Sequence, residues 1–113
     1  MSGFRNFSLQ ASRDLDEAVG WLLDHGAVPA SAEQLLSTVL AAAERLAERP
    51  ALGRRRPDLL PEPFRFWSIR RWKLLLVYDP TTSPATILRV FSTSQDLPAL
   101  LADLRDAPDV PET

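Results

Sequence analysis

Cysteine is absent and histidine occurs once, at His25. The first absence excludes a disulfide framework and any thiolate metal site. The second excludes clusters of histidine ligands and leaves a Ser-His-Asp triad no base other than His25. Neither a metal nor a cofactor is expected. Long hydrophobic runs are also missing: nothing approaches the ~18 apolar residues of a membrane span. The start, "MSGFRNFSLQ", lacks the basic-then-apolar pattern of a signal peptide. A cytoplasmic protein with no membrane association is the expectation.

Net charge is nearly absent as well, at -2, but the charges are segregated. Residues 45 to 73 hold nine Lys and Arg against three acids, a local +6, while the segments before and after each carry -4. A basic middle between acidic ends implies a local surface for anionic partners, not a general nucleic-acid coat. What is plentiful is apolar: 45% of 113 residues, enough for one core. One domain over 1–106 is expected, with a flexible tail over 107–113.

"FRNFSL" (4–9) reads as a first strand. "ASRDLDEAVGWLLDHG" follows with Leu15, Ala18, Val19 and Leu22 at helical spacing, acids near its start, and Gly26 to end it. "PASAEQLLSTVLAAAERLAER" opens on Pro29, repeats apolar residues at 32, 35, 36, 39, 43 and 46, and is stopped by Pro50. The short link predicts an antiparallel helical hairpin. The loop "PALGRRRPDLLPEP" is rich in proline, and three strand-like runs come after it: 64–70, 72–79 and 85–92. Arg70-Arg71 and "DPTTSP" supply the turns of a three-stranded antiparallel meander whose nearly continuous apolar run, 72–79, is central. A last helix places Leu97, Leu100, Leu101 and Leu104 on one face, with Asp96 as N-cap and Pro98 in its first turn. The order β-α-α-β-β-β-α defines an α+β fold in which the hairpin covers one sheet face.

These residues resemble the RelE/ParE superfamily of bacterial toxins, and its ParE-like branch in particular. "ASRDLDEAVGWL" is similar to the family's "A..DL..I..Y", and "LAERPALGRRRPDL" to "L..P..G.....L". "RFWSIRRWKLLLVYD" is similar to two strands ending in "Y.I.Y", and "ILRVFSTSQDLPALL" to "I.RVLHG.RDL..LL". The resemblance covers roughly residues 4 to 104. It implies the RelE/ParE-like fold, a toxin of a type II toxin-antitoxin module such as those that stabilise plasmids, a cognate antitoxin, and DNA gyrase as the target. Ribonuclease relatives use an arginine on the central strand, a second after the last strand, and a Tyr or His near the C-terminus. Leu74 or Leu75, Gln95 and no aromatic base stand at those places here. Since one lost charge stabiliser commonly costs ~100-fold in rate, the resemblance implies a protein that is not an enzyme.

Arg54, Arg55 and Arg56, with Arg65, Arg70, Arg71 and Lys73, are the candidate partner-binding set, on the expectation that the loop and a hairpin end form one basic surface. Core packing, the usual fate of the residue, is expected for Trp21, Trp67 and Trp72, with interface anchoring as the alternative; the resemblance implies that Trp67 and Trp72 border a groove for an antitoxin segment. Direct nucleic-acid binding is not expected, because no recognition motif is present. Arg89, sharing a strand face with Ile87 and Phe91, needs a partner; Glu17 and Asp96 are the candidates, and Arg89 and Asp96 are read as structural. Ser92, Thr93, Ser94 and Gln95 read as loop and cap. His25 reads as a helix-end residue. Two rival readings stand beside the gyrase inhibitor. One is an mRNA endoribonuclease with a rearranged site using Arg54 to Arg56, Lys73 and Arg89. The other is a non-toxic relative that only binds an antitoxin.

Overall fold

The computed structural model describes residues 6–93, 98, 99 and 101. Helix α1 (Leu9–Asp24) starts earlier than its apolar spacing suggested, because Ser8 caps it: the Ser8 hydroxyl accepts from the Ala11 N–H at 3.0 Å and donates to the Leu88 carbonyl at 2.8 Å. The strand expected over 4–9 is correspondingly reduced. Its described part touches the sheet through a single parallel bridge, Phe7 to Ile87; Phe4 and Arg5 lie outside the described residues. At the other end Gly26 takes a φ of 92°. Its N–H bonds to the Leu23 carbonyl and that of Ala27 to Leu22, the paired closure that a left-handed glycine permits.

Helix α2 (Pro29–Glu48) begins on a proline whose missing N–H would have been unpaired anyway. It buries Ala32, Leu35, Val39, Ala42, Ala43 and Leu46, with Leu36 half-buried beside them. Arg49 leaves helical geometry ahead of Pro50, as the sequence predicts.

Strands β1 (Arg65–Ile69), β2 (Leu74–Asp79) and β3 (Thr86–Ser92) form an antiparallel sheet in the order β1-β2-β3. Trp72 and Lys73, expected to open the central strand, belong to the turn. Arg70–Trp72 is one 3-10 turn, and Lys73 adopts the left-handed conformation (φ 54°, ψ 45°), returning its N–H to the Arg70 carbonyl.

Both faces of the sheet are covered. Ile69, Leu74, Leu76, Tyr78, Ile87 and Val90 pack with apolar residues of α1 and α2. Phe66, Leu75, Val77 and Phe91 pack on the opposite side with Leu59 and Leu60 of the proline-rich loop and with Leu101. Pro98, Ala99 and Leu101 are helical, in keeping with the expected last helix. Asp96, Leu97, Leu100, Leu104 and the tail at 107–113 lie outside the described residues.

The register of β3 shifts: Tyr78 faces Ile87 and Val77 faces Arg89, leaving Leu88 without a counterpart. Such a bulge reverses the alternation of faces. Arg89 therefore shares a face with Phe91, whose ring centroid lies 4.6 Å from its guanidinium, but not with Ile87 as alternation alone had suggested. Its carboxylate partner is Asp14, one turn before the expected Glu17. Asp14 accepts from Arg89 Nε at 2.7 Å, from Nη2 at 3.0 Å and from the Val90 N–H at 2.9 Å. A buried acid on α1 thus closes the outer edge of β3.

Candidate functional site

The opposite edge of the sheet is where the cations gather. In an antiparallel ladder every second residue turns its N–H and C=O away from the neighbouring strand. On β1 these are Phe66 and Ser68. Phe66 exchanges both bonds with Arg54, each at 2.8 Å. Before Arg54 the chain curls off the edge into the 3-10 turn Pro50–Leu52. Tyr78 holds that curl: its hydroxyl donates to the Pro50 carbonyl at 2.5 Å and accepts from the Gly53 N–H at 2.8 Å. A β-carbon on Gly53 would collide with the Tyr78 hydroxyl and the Phe66 carbonyl, so only glycine fits. Burial pushes the Tyr78 pKa up, against the Gly53 hydrogen bond, which favours the ionised form. The consequence at the edge is that Ser68 has no main-chain partner on its outer side among the described residues.

Two hollows meet at this vacancy. One, of about 440 Å³, lies between α2 and β1 and is lined by Thr38, Ala41, Arg45, Trp67 and Ser68 among others. The second, of about 470 Å³, wraps the β1–β2 turn and is lined by Ser68, Arg70, Lys73, Leu74 and Thr93. Ser68 and Ile69 border both, and the two hollows flank this end of β1 as a trough in two parts. Among the described residues no acid lines it. Arg45 rests 5.6 Å from the Trp67 ring centroid. Arg45, Arg70 and Lys73 make no ion pair among the described residues.

The basic set expected from sequence divides into two groups at opposite ends of β1. Arg70 and Lys73 line the trough, with Trp67 as its wall. Arg71 instead binds Gln34 of α2 at 2.8 Å and lies over Trp72, which packs against the first core. The Trp72 indole N–H is buried without a partner among the described residues. At the far end Arg54 joins the sheet edge through its backbone, Arg65 donates to the Gly53 carbonyl, Arg55 pairs with Glu62, and Arg56 with Asp58 at 2.9 Å. The Arg56 hydrogen bond lowers the Asp58 pKa. This second group is largely occupied in shaping its own loop. Arg45 and Ser68 escaped the sequence reading; Arg45 reads as an ordinary exposed helix residue until the fold sets it above Trp67.

Neither the tyrosine nor the histidine lines the trough. The single tyrosine is inside the core, and the single histidine stacks on Trp21 at the end of α1, 3.9 Å between centroids. Trp21 itself is 60% exposed, not packed inward, because it lies on the flank of α1 away from the buried row. Leu74 and Leu75, at the place of the relatives' central-strand arginine, are buried. Ser94 and Gln95 lie outside the described residues. Among the described residues no group of three or more His, Asp or Glu could hold a metal, and no helix is long and apolar enough to cross a membrane.

A helical hairpin laid on a three-stranded antiparallel sheet, with one edge sealed and the other left as a cationic trough, defines a small α+β protein of the RelE/ParE kind. The family model described as ParE toxin of type II toxin-antitoxin system, parDE, matches residues 6–97, and the chain belongs to that family. No curated protein matches it.

Proposed function

We propose that this protein is the toxin of a two-gene module, that a cognate antitoxin neutralises it by covering the helical hairpin and the sheet edge, and that the free toxin inhibits DNA gyrase by binding to it. Family membership supports the toxin role and the existence of an antitoxin; the gyrase target rests on the resemblance to the ParE branch. The observation that carries the non-enzymatic reading is the separation of the trough cations from the single tyrosine and the single histidine. Arg45, Arg70 and Lys73 line the trough, whereas Tyr78 and His25 are held elsewhere. Phosphoryl transfer to or from RNA needs both kinds of group converging within hydrogen-bond reach of one phosphate. Inhibition by binding needs only a difference in affinity between two states of the target.

Supercoiling of relaxed plasmid by purified gyrase tests the target: excess toxin is expected to abolish it, and unchanged supercoiling removes gyrase from the proposal. Primer extension on mRNA after expression is expected to show no new 5′ ends. Growth arrest on expression separates a toxin from a relative that only binds an antitoxin.

A further inference from the structure

We infer that the outward flank of α1 around Trp21 is the surface by which the free toxin holds its target, and that it takes an arginine side chain from a basic protein surface, stacked on the indole and met by Glu17 and Asp24. The inference rests on the reading above of a toxin that acts by binding, and names the patch and the chemistry of what it grips.

A lone exposed apolar residue is ordinary on a small protein. Trp21 differs in being both exposed, at 60%, and held in place. The His25 ring stacks on it at 3.9 Å and 17°, and His25 Nδ1 lies 2.8 Å from the Trp21 carbonyl. His25 is itself fixed as the C-cap of α1, its N–H on the Trp21 and Leu22 carbonyls and left-handed Gly26 behind it. An imidazole thus backs one face of the indole, and the other face has no ring or cation partner among the described residues. A side chain already ordered loses little freedom on binding, and tryptophan is among the residues that most often anchor interfaces.

Gly20 stands beside Trp21 inside the helix, where glycine is less stable than alanine. A β-carbon there would meet nothing within 4 Å, so packing within this chain does not call for a glycine. Its bare backbone leaves a dent that a partner can approach closely. Around the dent, at helical spacing from Gly20, stand the exposed residues Asp16, Glu17, Leu23 and Asp24. Glu17 and Asp24 are also the helical neighbours of Trp21. None of these acids is in an ion pair among the described residues, and neither is exposed Arg13 one turn earlier. Carboxylates next to an aromatic face select a guanidinium: it lies flat on the indole while its N–H edge reaches the acids, which a compact ammonium does less well. The alkyl stem of such an arginine then rests in the dent against Leu23. The patch is convex helix surface, not a cleft that encloses a small molecule, so the arginine must be presented by a protein. Phosphate or an acidic segment is repelled by the same carboxylates.

The test titrates the full chain with a synthetic Gly-Arg repeat peptide, and separately with Gly-Lys and Gly-Glu repeats of the same length. The Trp21 indole N–H, assigned by its loss in Trp21→Phe, is followed by NMR. The arginine peptide is expected to move that signal, the lysine peptide to bind more weakly, and the glutamate peptide to leave it still. Glu17→Gln with Asp24→Asn is expected to weaken arginine-peptide binding by about five-fold, two exposed attractions being lost. In cells, Trp21→Ala is expected to abolish the growth arrest that the wild-type chain causes. Thermal melting shows whether that variant is folded; if it is not, the Glu17→Gln, Asp24→Asn chain takes its place. An indole signal unmoved by the arginine peptide, an equal response to the glutamate peptide, binding indifferent to loss of the two carboxylates, or growth arrest undiminished in the folded variant would overturn the inference. A wild-type chain that arrests growth but leaves supercoiling intact removes gyrase and not this patch. One that arrests nothing removes the toxin reading, and the peptide titration then decides alone.

Discussion

Tyr78 is the residue on which the shape of the open edge depends. Its hydroxyl answers two main-chain groups at once, the Pro50 carbonyl and the Gly53 N–H, and so keeps the connecting turn off the second half of β1. Tyr78→Phe leaves both without their partner, and a loss of about 1–3 kcal/mol in denaturant unfolding is expected. The same residue makes a prediction about pH. Its folded pKa lies above the ordinary value of 10.0, because burial penalises the phenolate. The unfolded chain therefore releases the phenolic proton first as pH rises. Stability from this group is complete below the unfolded value and declines as pH climbs from there towards the folded value. An equilibrium unfolding series through that alkaline range should show the decline in the wild-type chain and a flatter profile in Tyr78→Phe. The "Y" and "G" of the sequence were legible as family positions. Their contact was not, because they are separated by 25 residues and the pairing exists only once the sheet has formed.

Helix α1 acts on the other edge. Asp14 was read from sequence as one of several acids near a helix start, where the dipole favours them. In the structure it is the buried partner of Arg89 and the acceptor for the free N–H of Val90. Asp14→Ala takes the carboxylate away from a guanidinium that is only 17% exposed, and breaking such a pair from one side is expected to cost about 3 kcal/mol, measured by urea unfolding. Replacing both partners, with Arg89→Met added, should recover part of that loss. Apolar spacing located both helices and all three strands of the meander to within a few residues. What it missed are events of a single residue. Ser8 starts α1 inside the expected first strand, Leu88 flips the alternation of β3, and Lys73 tightens the turn that was given to β2. Each is decided by a local hydrogen bond or register step to which hydrophobic periodicity is blind.

For the molecule as a whole, the sheet is sandwiched, not covered on one side only. The proline-rich loop supplies Leu59 and Leu60 to the second core, at 5% and 1% exposure. Leu60→Ala is therefore expected to cost about 3 kcal/mol by the same measurement, comparable to Leu46→Ala on α2; a loop that merely connected would lose almost nothing. The candidate site was half legible. The charge count pointed to residues 45 to 73, and Trp67, Arg70 and Lys73 do meet there. Local sequence could not reveal that Arg55 and Arg56 find acids within their own loop, or that Arg45 arrives from α2. Sequence neighbours share a loop; the candidate surface is assembled from a helix, a strand and a turn.

The curl at Pro50–Leu52 also limits how copies of this chain can meet. A sheet with a long bare margin invites its own kind to stack margin to margin, the first step towards insoluble aggregates. Here Arg54 already occupies the stretch beside Phe66, and on the opposite edge Asp14 of α1 takes the Val90 N–H. The curl at Pro50–Leu52 thus shortens the bare margin of β1, among the described residues, to the stretch around Ser68.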